Sequence, residues 1–346
     1  MSPKPAGAPQ VAKCPGVTIA RRGAMRYKSR VAEPDPEHPV LRALRSPREG
    51  ERVALVVEGG GMRGAVSGGM ALALHELGLG HSFDAAYGSS AGALNALWLI
   101  SGRVEDGIPT WTDRKLGREL MSKRRLFGRR PIVDMHTLIE HRYEQLSPGL
   151  FEAALAADTE FHPLATDVDT GLGVDLHPEI VDRETLKLAV RATSTLPIIA
   201  GPPVWLNGRR YLDAGLSEAI PFRAAIADGA THVLVLRSRK AGHVATDPAG
   251  FGGRVTSRML GRISPAVRQS YMTRGRREGE DEEFLARYDA DPDLTPHILS
   301  VRPHPDSPVP SRLESDTGIV RAGLEAGRRA MYDALGANRP NRIPAL

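Results

Sequence analysis

The sequence predicts an α/β fold built on a parallel sheet, and three features of residues 52 to 100 carry that expectation. Arg52-Val53-Ala54-Leu55-Val56-Val57 is a continuous apolar run, the pattern of a strand buried on both faces. Gly59-Gly60-Gly61 follows, after which Val66, Met70, Ala73 and Leu77 recur at intervals that place them on one helical face. A second short strand, Phe83 to Tyr87, leads through Gly88-Ser89-Ser90-Ala91-Gly92 into Ala93 to Ile100, which reads as a buried helix. Strand, tight turn and helix repeated in this way form a βαβ unit, with its two strands parallel.

The remaining elements follow in chain order. Residues 1 to 50 are rich in Pro, Arg and Lys without sustained periodicity and read as an irregular lead-in. Residues 103 to 155 read as helical or irregular. Phe161 to Thr166 and Gly173 to Leu176 read as strands joined by a turn at Asp169-Thr170-Gly171. Thr185 to Arg191 reads as a helix that Pro197 stops soon afterwards. Val204-Trp205-Leu206 and Arg209 to Leu212 flank Asn207-Gly208, the pair that favours a type I′ hairpin turn. A helix opened by Pro221 precedes the strand His232 to Leu236. Residues 240 to 290 are Arg- and Gly-rich, then charged, and lack a clear pattern. Ile298 to Val301 reads as a last strand, and Val320, Leu324, Gly327, Met331 and Leu335 mark a final amphipathic helix with Asp316 as its N-cap.

Bulk properties narrow the classes. The 346 residues are 41% hydrophobic and 25% charged, as in ordinary globular proteins, and no apolar run reaches membrane-spanning length. No secretory h-region opens the chain, so a cytoplasmic location is expected. A single cysteine, Cys14, excludes an internal disulfide and any multi-cysteine metal site. Forty-six basic against 41 acidic residues give a net charge of +5, which favours anionic surfaces without naming one. The densest basic cluster is Lys123, Arg124, Arg125, Arg129 and Arg130. It reads first as a solvated loop and second as a peripheral contact with anionic membrane headgroups. No recognition motif accompanies the charge, so no nucleic acid partner is expected.

Gly88-Ser89-Ser90-Ala91-Gly92 matches G-x-S-x-G, the pattern of a strained strand-to-helix turn that lifts a serine oxygen clear of the backbone. At a helix N-terminus the backbone N–H groups also favour developing negative charge. The bland reading is a Gly-rich turn with Ser90 as a cap. Gly59-Gly60-Gly61-Met62-Arg63-Gly64 offers consecutive N–H groups that can form an oxyanion hole. The same six residues satisfy G-x-G-x-x-G, with Asp84 twenty positions on, so a nucleotide-binding loop is a rival reading. Against it, the segment before Asp84 is polar, and the Ser90 turn goes unexplained. A serine needs a base. His75, His81 and His232 lack a motif-like setting, whereas Asp213 ends a hairpin strand before Ala214-Gly215, where a carboxylate could take the Ser90 proton directly. Alone, Asp213 reads as an ordinary turn aspartate.

Taken together and in this order, the 59–64, 88–92 and 213–215 motifs resemble the patatin-like phospholipases, notably bacterial members. Ala192-Thr193-Ser194-Thr195-Leu196-Pro197, Tyr211-Leu212-Asp213 and Glu218-Ala219-Ile220-Pro221 extend the likeness, which spans about residues 52 to 240. The resemblance implies a three-layer α/β/α fold around a mostly parallel sheet, and lipid acyl hydrolysis by a Ser-Asp dyad without metal or organic cofactor. It implies Ser90 as nucleophile, Asp213 as base, Gly60, Gly61 and Met62 as oxyanion N–H donors, and Arg63 as support for that loop or its charge. It divides the chain into a lead-in (1–50), a catalytic region (51–240) and an extension completing the same domain (241–346). Two departures stand out. Ala214 replaces the usual glycine, which would be strained if that position needed a positive φ. Glu58 stands where plant members carry aspartate and reads as tolerated variation. The alternatives are an α/β-hydrolase with a Ser-His-Asp triad, a nucleotide-binding protein, and a catalytically silent lipid-binding module.

Overall fold

The computed structural model describes residues 38–121, 131–197, 199–242 and 250–338. Cys14 and most of the lead-in, together with the basic cluster at 123–130, lie outside the described residues. Among the described residues eight strands form one sheet: β1 Val53–Val57, β2 Ala85–Ser89, β3 Glu160–Asp167, β4 Gly173–Asp175, β5 Val204–Leu206, β6 Arg209–Asp213, β7 His232–Leu236 and β8 His297–Val301. Their order is β5-β6-β3-β2-β1-β7-β8, with β4 also paired to β3. The five strands β3-β2-β1-β7-β8 are parallel, and β4 and the β5–β6 hairpin join β3 antiparallel. The chain winds outward from β1 to β3 on one side and through β7 to β8 on the other. Loops leaving the C-terminal ends of strands at such a reversal border a crevice.

Eight helices matter here: α1 Pro39–Arg45, α2 Gly64–Glu76, α3 Ala91–Ile100, α4 Arg183–Ser194, α5 Phe222–Ala227, α6 Phe251–Ile263, α7 Pro265–Ala290 and α8 Thr317–Ala334. The pleat sorts apolar side chains between two layers. Val53, Leu55 and Val57 of β1, with Leu234 and Leu236 of β7, join the core beneath α1, α2, α3 and α8. Ala54, Val56, Val233 and Val235 face the opposite core, which Phe222 of α5 and Leu285 and Tyr288 of α7 complete. The architecture is therefore three-layer α/β/α with a mostly parallel central sheet. No helix among the described residues is long and apolar enough to cross a membrane.

Three local outcomes differ from the sequence pattern. Helix α2 was expected to bury one face, yet Gly64 to Leu74 are buried throughout, because α8 covers the side turned away from the sheet. The lead-in ends earlier than residue 50: α1 buries Val40, Leu41, Ala43 and Leu44 under the first layer. Residues 250 to 290, without a clear pattern, are the two helices α6 and α7. Other local signals hold. Asp316 accepts from Gly318 N at 2.7 Å, and Asn207 and Gly208 both have positive φ; α4 adds a capping box of Asp182 and Thr185 that the sequence reading did not name.

The α2–α8 crossing depends on glycine. A Cβ at Gly327 would lie 1.8 Å from the Val66 carbonyl oxygen, and one at Gly69 would lie 1.9 Å from that of Leu324. Gly327→Ala should therefore cost about 3 kcal/mol in urea unfolding, as backbone cannot retreat like a flexible side chain. Gly279→Ala, in α7 with nothing within 4 Å of the added Cβ, should instead stabilise by about 0.5–1 kcal/mol. Equal effects would refute this account of the crossing.

Candidate active site

β2 runs straight into the turn that carries Ser90, whose φ of 54° and ψ of −126° lie outside the regions that side-chain-bearing residues favour. Such a residue costs about 1–3 kcal/mol and persists only where its surroundings fix it. Thr193 of α4 helps: its hydroxyl accepts the Ser90 N–H at 2.9 Å. The flanking glycines serve close approach rather than a special dihedral. A Cβ at Gly88 would lie 2.4 Å from Ala93 Cα, and one at Gly92 would lie 2.3 Å from the Val57 carbonyl oxygen. With those positions bare, α3 can start directly behind β1 and β2.

The sheet register brings Asp213 to the same level. Ser89 pairs with Leu164 of β3, and the next β3 residue, Ala165, pairs with Asp213 across the antiparallel β3–β6 ladder. Ser90 Oγ donates to Asp213 Oδ2 at 2.6 Å, and Gly215 N donates to Oδ1 at 2.8 Å. Asp213 N donates to the Thr195 carbonyl at 2.9 Å, and the Thr166 hydroxyl donates to the Asp213 carbonyl at 2.8 Å. Both ends of this aspartate are thus fixed. Ala214 is unstrained, since it starts a short 3₁₀ turn without positive φ and is buried in the second core. The glycine requirement falls on Gly215, where a Cβ would sit 2.9 Å from Asp213 Oδ1.

The glycine loop lies beside Ser90. A Cβ at Gly59 would meet the Ser89 carbonyl at 2.7 Å, and one at Gly64 would meet Ala91 Cβ at 2.6 Å. Gly61 has φ of 59° and lies against the Arg312 carbonyl, where a Cβ would come within 2.6 Å. That same carbonyl accepts the Met62 N–H at 3.0 Å, so Met62, expected among the oxyanion donors, is already bonded. Gly59 N is likewise bonded, to the Ala219 carbonyl at 3.0 Å. The N–H groups of Gly60 and Gly61 have no acceptor among the described residues.

Glu58 is a buried structural anchor. Fully buried, its carboxylate accepts from Ser238 N at 2.8 Å and Arg237 Nε at 3.0 Å, and pairs with Arg239 Nε at 2.9 Å. Burial alone would raise its pKa, but Arg237, Arg239, Arg63 and Arg302 outweigh it and hold Glu58 at about 2. Glu278 and Glu282 neutralise the outer ends of Arg239 and Arg237. Asp213 has the opposite balance. Burial exceeds its hydrogen bonds from Ser90 and Gly215 and the field of Arg312, so its pKa is pushed up to about 6. Arg63 is buried with Nε and Nη2 unpartnered among the described residues, and burial, then Arg239 and Arg312, lowers it to about 10.

Other candidates lie elsewhere. No histidine hydrogen-bonds to Ser90 or Asp213 among the described residues. His232 starts β7, paired with Val53 at the opposite end of β1, beside Glu51 and Arg42. Asp84 is at that end too, accepting from Val53 N at 2.7 Å, and so is remote from the loop that it would serve in a nucleotide site. Glu160, His162 and Asp228, a group with metal-ligand spacing, also lies there, with Arg52 bridging the two carboxylates at 2.5 and 3.2 Å. The motifs did not single out Thr166, Ser238 or Arg312, because each joins through sequence-distant contacts. Thr193 was visible only as part of a matching segment.

Two measurements check this electrostatic account. Glu58→Gln leaves Arg237 and Arg239 short of one buried charge and should destabilise by about 3–5 kcal/mol. Folded Asp213 keeps its proton up to about pH 6, whereas an unfolded aspartate loses it near 4. Between those values the native state binds more protons, so this group increasingly opposes folding as pH rises, with the full penalty reached above about 6. Asp213→Asn should accordingly melt no lower than the parent at pH 8, and a large drop in Tm there would contradict the burial argument.

Comparison with known proteins agrees with this architecture. Residues 55–226 match the family model described as patatin-like phospholipase. The chain is also 30% identical over 194 residues to the uncharacterized protein YjjU of Escherichia coli (strain K12), covering 54% of this chain and 52% of that protein. It thus spans about half the length of this curated relative. The region that carries the Gly-rich loop, Ser90 and Asp213 belongs to the patatin-like phospholipase family.

Proposed function

We propose that this protein is a serine acyl-ester hydrolase, a lipid acyl hydrolase in which Ser90 and Asp213 form a two-residue catalytic unit. The observation that carries the reading is the buried 2.6 Å hydrogen bond from Ser90 Oγ to Asp213 Oδ2, made by a serine held on a strained strand-to-helix turn. Asp213 takes the hydroxyl proton as Ser90 Oγ attacks the ester carbonyl carbon. The tetrahedral oxyanion receives the N–H groups of Gly60 and Gly61, and Arg63 adds positive charge beside them. Collapse expels the alcohol, which leaves with the proton from Asp213, and an acyl-Ser90 remains. Asp213 then deprotonates water for attack on the acyl group, and Ser90 is restored. The chemistry uses no metal or organic cofactor. The domain that carries this pair includes the extension past residue 240, because β8 and α8 complete the sheet and the first helical layer.

A base must be ionised to accept a proton. With Asp213 pushed up to about 6, kcat/KM for a soluble short-chain ester should rise through about pH 6 and level off above it. A fluorophosphonate probe should label the parent protein and leave Ser90→Ala unlabelled. Asp213→Asn should lower kcat about 10²–10⁴-fold. Labelling that survives Ser90→Ala, or full turnover by Asp213→Asn, would dismiss the dyad. A screen over esters of graded chain length distinguishes phospholipid, lysolipid and neutral ester substrates.

A further inference from the structure

We infer that the outer face of α6 is an interfacial surface that docks this protein on an anionic lipid bilayer. The 13 residues Phe251–Ile263 contain no acidic side chain. The helix has two contrasting sides. Ser257 and Leu260 are buried, Leu260 packing with Val168, Leu212, Leu216, Val267 and Tyr271. Arg254, Val255, Arg258, Met259 and Arg262 share the opposite arc and are exposed, Val255 by 44% and Met259 by 36%. The three arginines have no carboxylate within ion-pair distance among the described residues, whereas Arg223, Arg237, Arg239 and Arg302 each pair with a carboxylate of α7.

The position of the helix gives that surface a use. Leu216, which α6 packs against, lies three residues past Asp213, and the turn after β3 meets α7, since a Cβ at Gly171 would lie 2.5 Å from the Ala266 carbonyl. The next residue, Leu172, is 65% exposed. This turn follows the C-terminal end of β3, the end of the sheet at which β2 delivers Ser90. Contact through α6 and Leu172 would bring that end of the molecule toward the lipid.

Unpaired cations beside protruding apolar side chains supply the two terms that hold a helix in a bilayer interface: attraction to anionic headgroups and burial of apolar area. A protein partner would need an acidic surface, and a neutral apolar groove would leave the arginines uncompensated. Each arginine near an anionic surface changes partitioning about fivefold. The inference is independent of hydrolysis at Ser90, because docking requires only the surface.

The test sediments the full-length Ser90→Ala protein with phosphatidylcholine vesicles, with and without phosphatidylglycerol. Binding should need phosphatidylglycerol and weaken with added salt. Arg254→Glu/Arg258→Glu and, separately, Val255→Asp should weaken it tenfold or more. In the Ser90 background the same substitutions should leave the melting transition and soluble-ester turnover unchanged. If charge reversal perturbs folding, Arg254→Gln/Arg258→Gln should still lose several-fold. Equal binding by the charge variants, equal binding to both vesicle types, no vesicle binding, or binding to duplex DNA through these arginines in place of vesicles would overturn the proposal. Vesicle binding by the Ser90→Ala protein together with no ester turnover by the parent that keeps Ser90 would reject the hydrolase and leave the docking surface standing.

Discussion

The site is organised around one desolvated hydrogen bond, that from Ser90 to Asp213. An exposed carboxylate would be a weak base surrounded by competing water. Burial raises the affinity of Asp213 for a proton, while the Ser90 and Gly215 donors keep the ionised form accessible near neutral pH. The rise to about 6 shows which effect is larger: desolvation exceeds the sum of two hydrogen bonds and the Arg312 field. The proposed base therefore derives its strength from the packing of the second core and the β3–β6 ladder rather than from a histidine relay.

That hydrogen bond depends on the glycine loop and the Ser90 turn sharing a space too small for side chains. Gly59, Gly88, Gly92 and Gly64 each face a neighbour that an added Cβ would strike, so the loop after β1 and the turn after β2 lock against each other. Behind them, Glu58 ties the end of β1 to Ser238 and the arginines after β7. Two carboxylates of similar burial consequently do opposite work. Glu58, among four arginines, is held ionised at about 2 as a structural anchor, whereas Asp213, with the field of Arg312 outweighed by burial, is left near 6.

The last hundred residues are part of this arrangement. Arg312 fixes the loop through its carbonyl, which accepts the Met62 N–H, and it bears on Asp213 through its charge. α7 supplies Glu278 and Glu282 to the buried arginines, and α8 encloses α2. These contributions are invisible to a motif, because each consists of one backbone group or charge reaching a residue far away in sequence.

Much was nonetheless written in the chain itself. The strands at 53–57, 204–206 and 232–236 lie within one residue of their apolar runs, and the Asn207-Gly208 hairpin took the predicted conformation, because pleat periodicity and turn chemistry are local constraints. The glycine motifs, Ser90 and Asp213 were legible as separate candidates for the same reason. Tertiary structure alone decided their meeting, through the register that sets Ala165 opposite Asp213, and it alone bonded the Met62 N–H to the Arg312 carbonyl. It also turned Glu58 into an anchor, relieved Ala214 of strain and buried α2 on every side. Dihedral preference belongs to a residue, whereas desolvation and steric contact belong to the neighbours that folding brings.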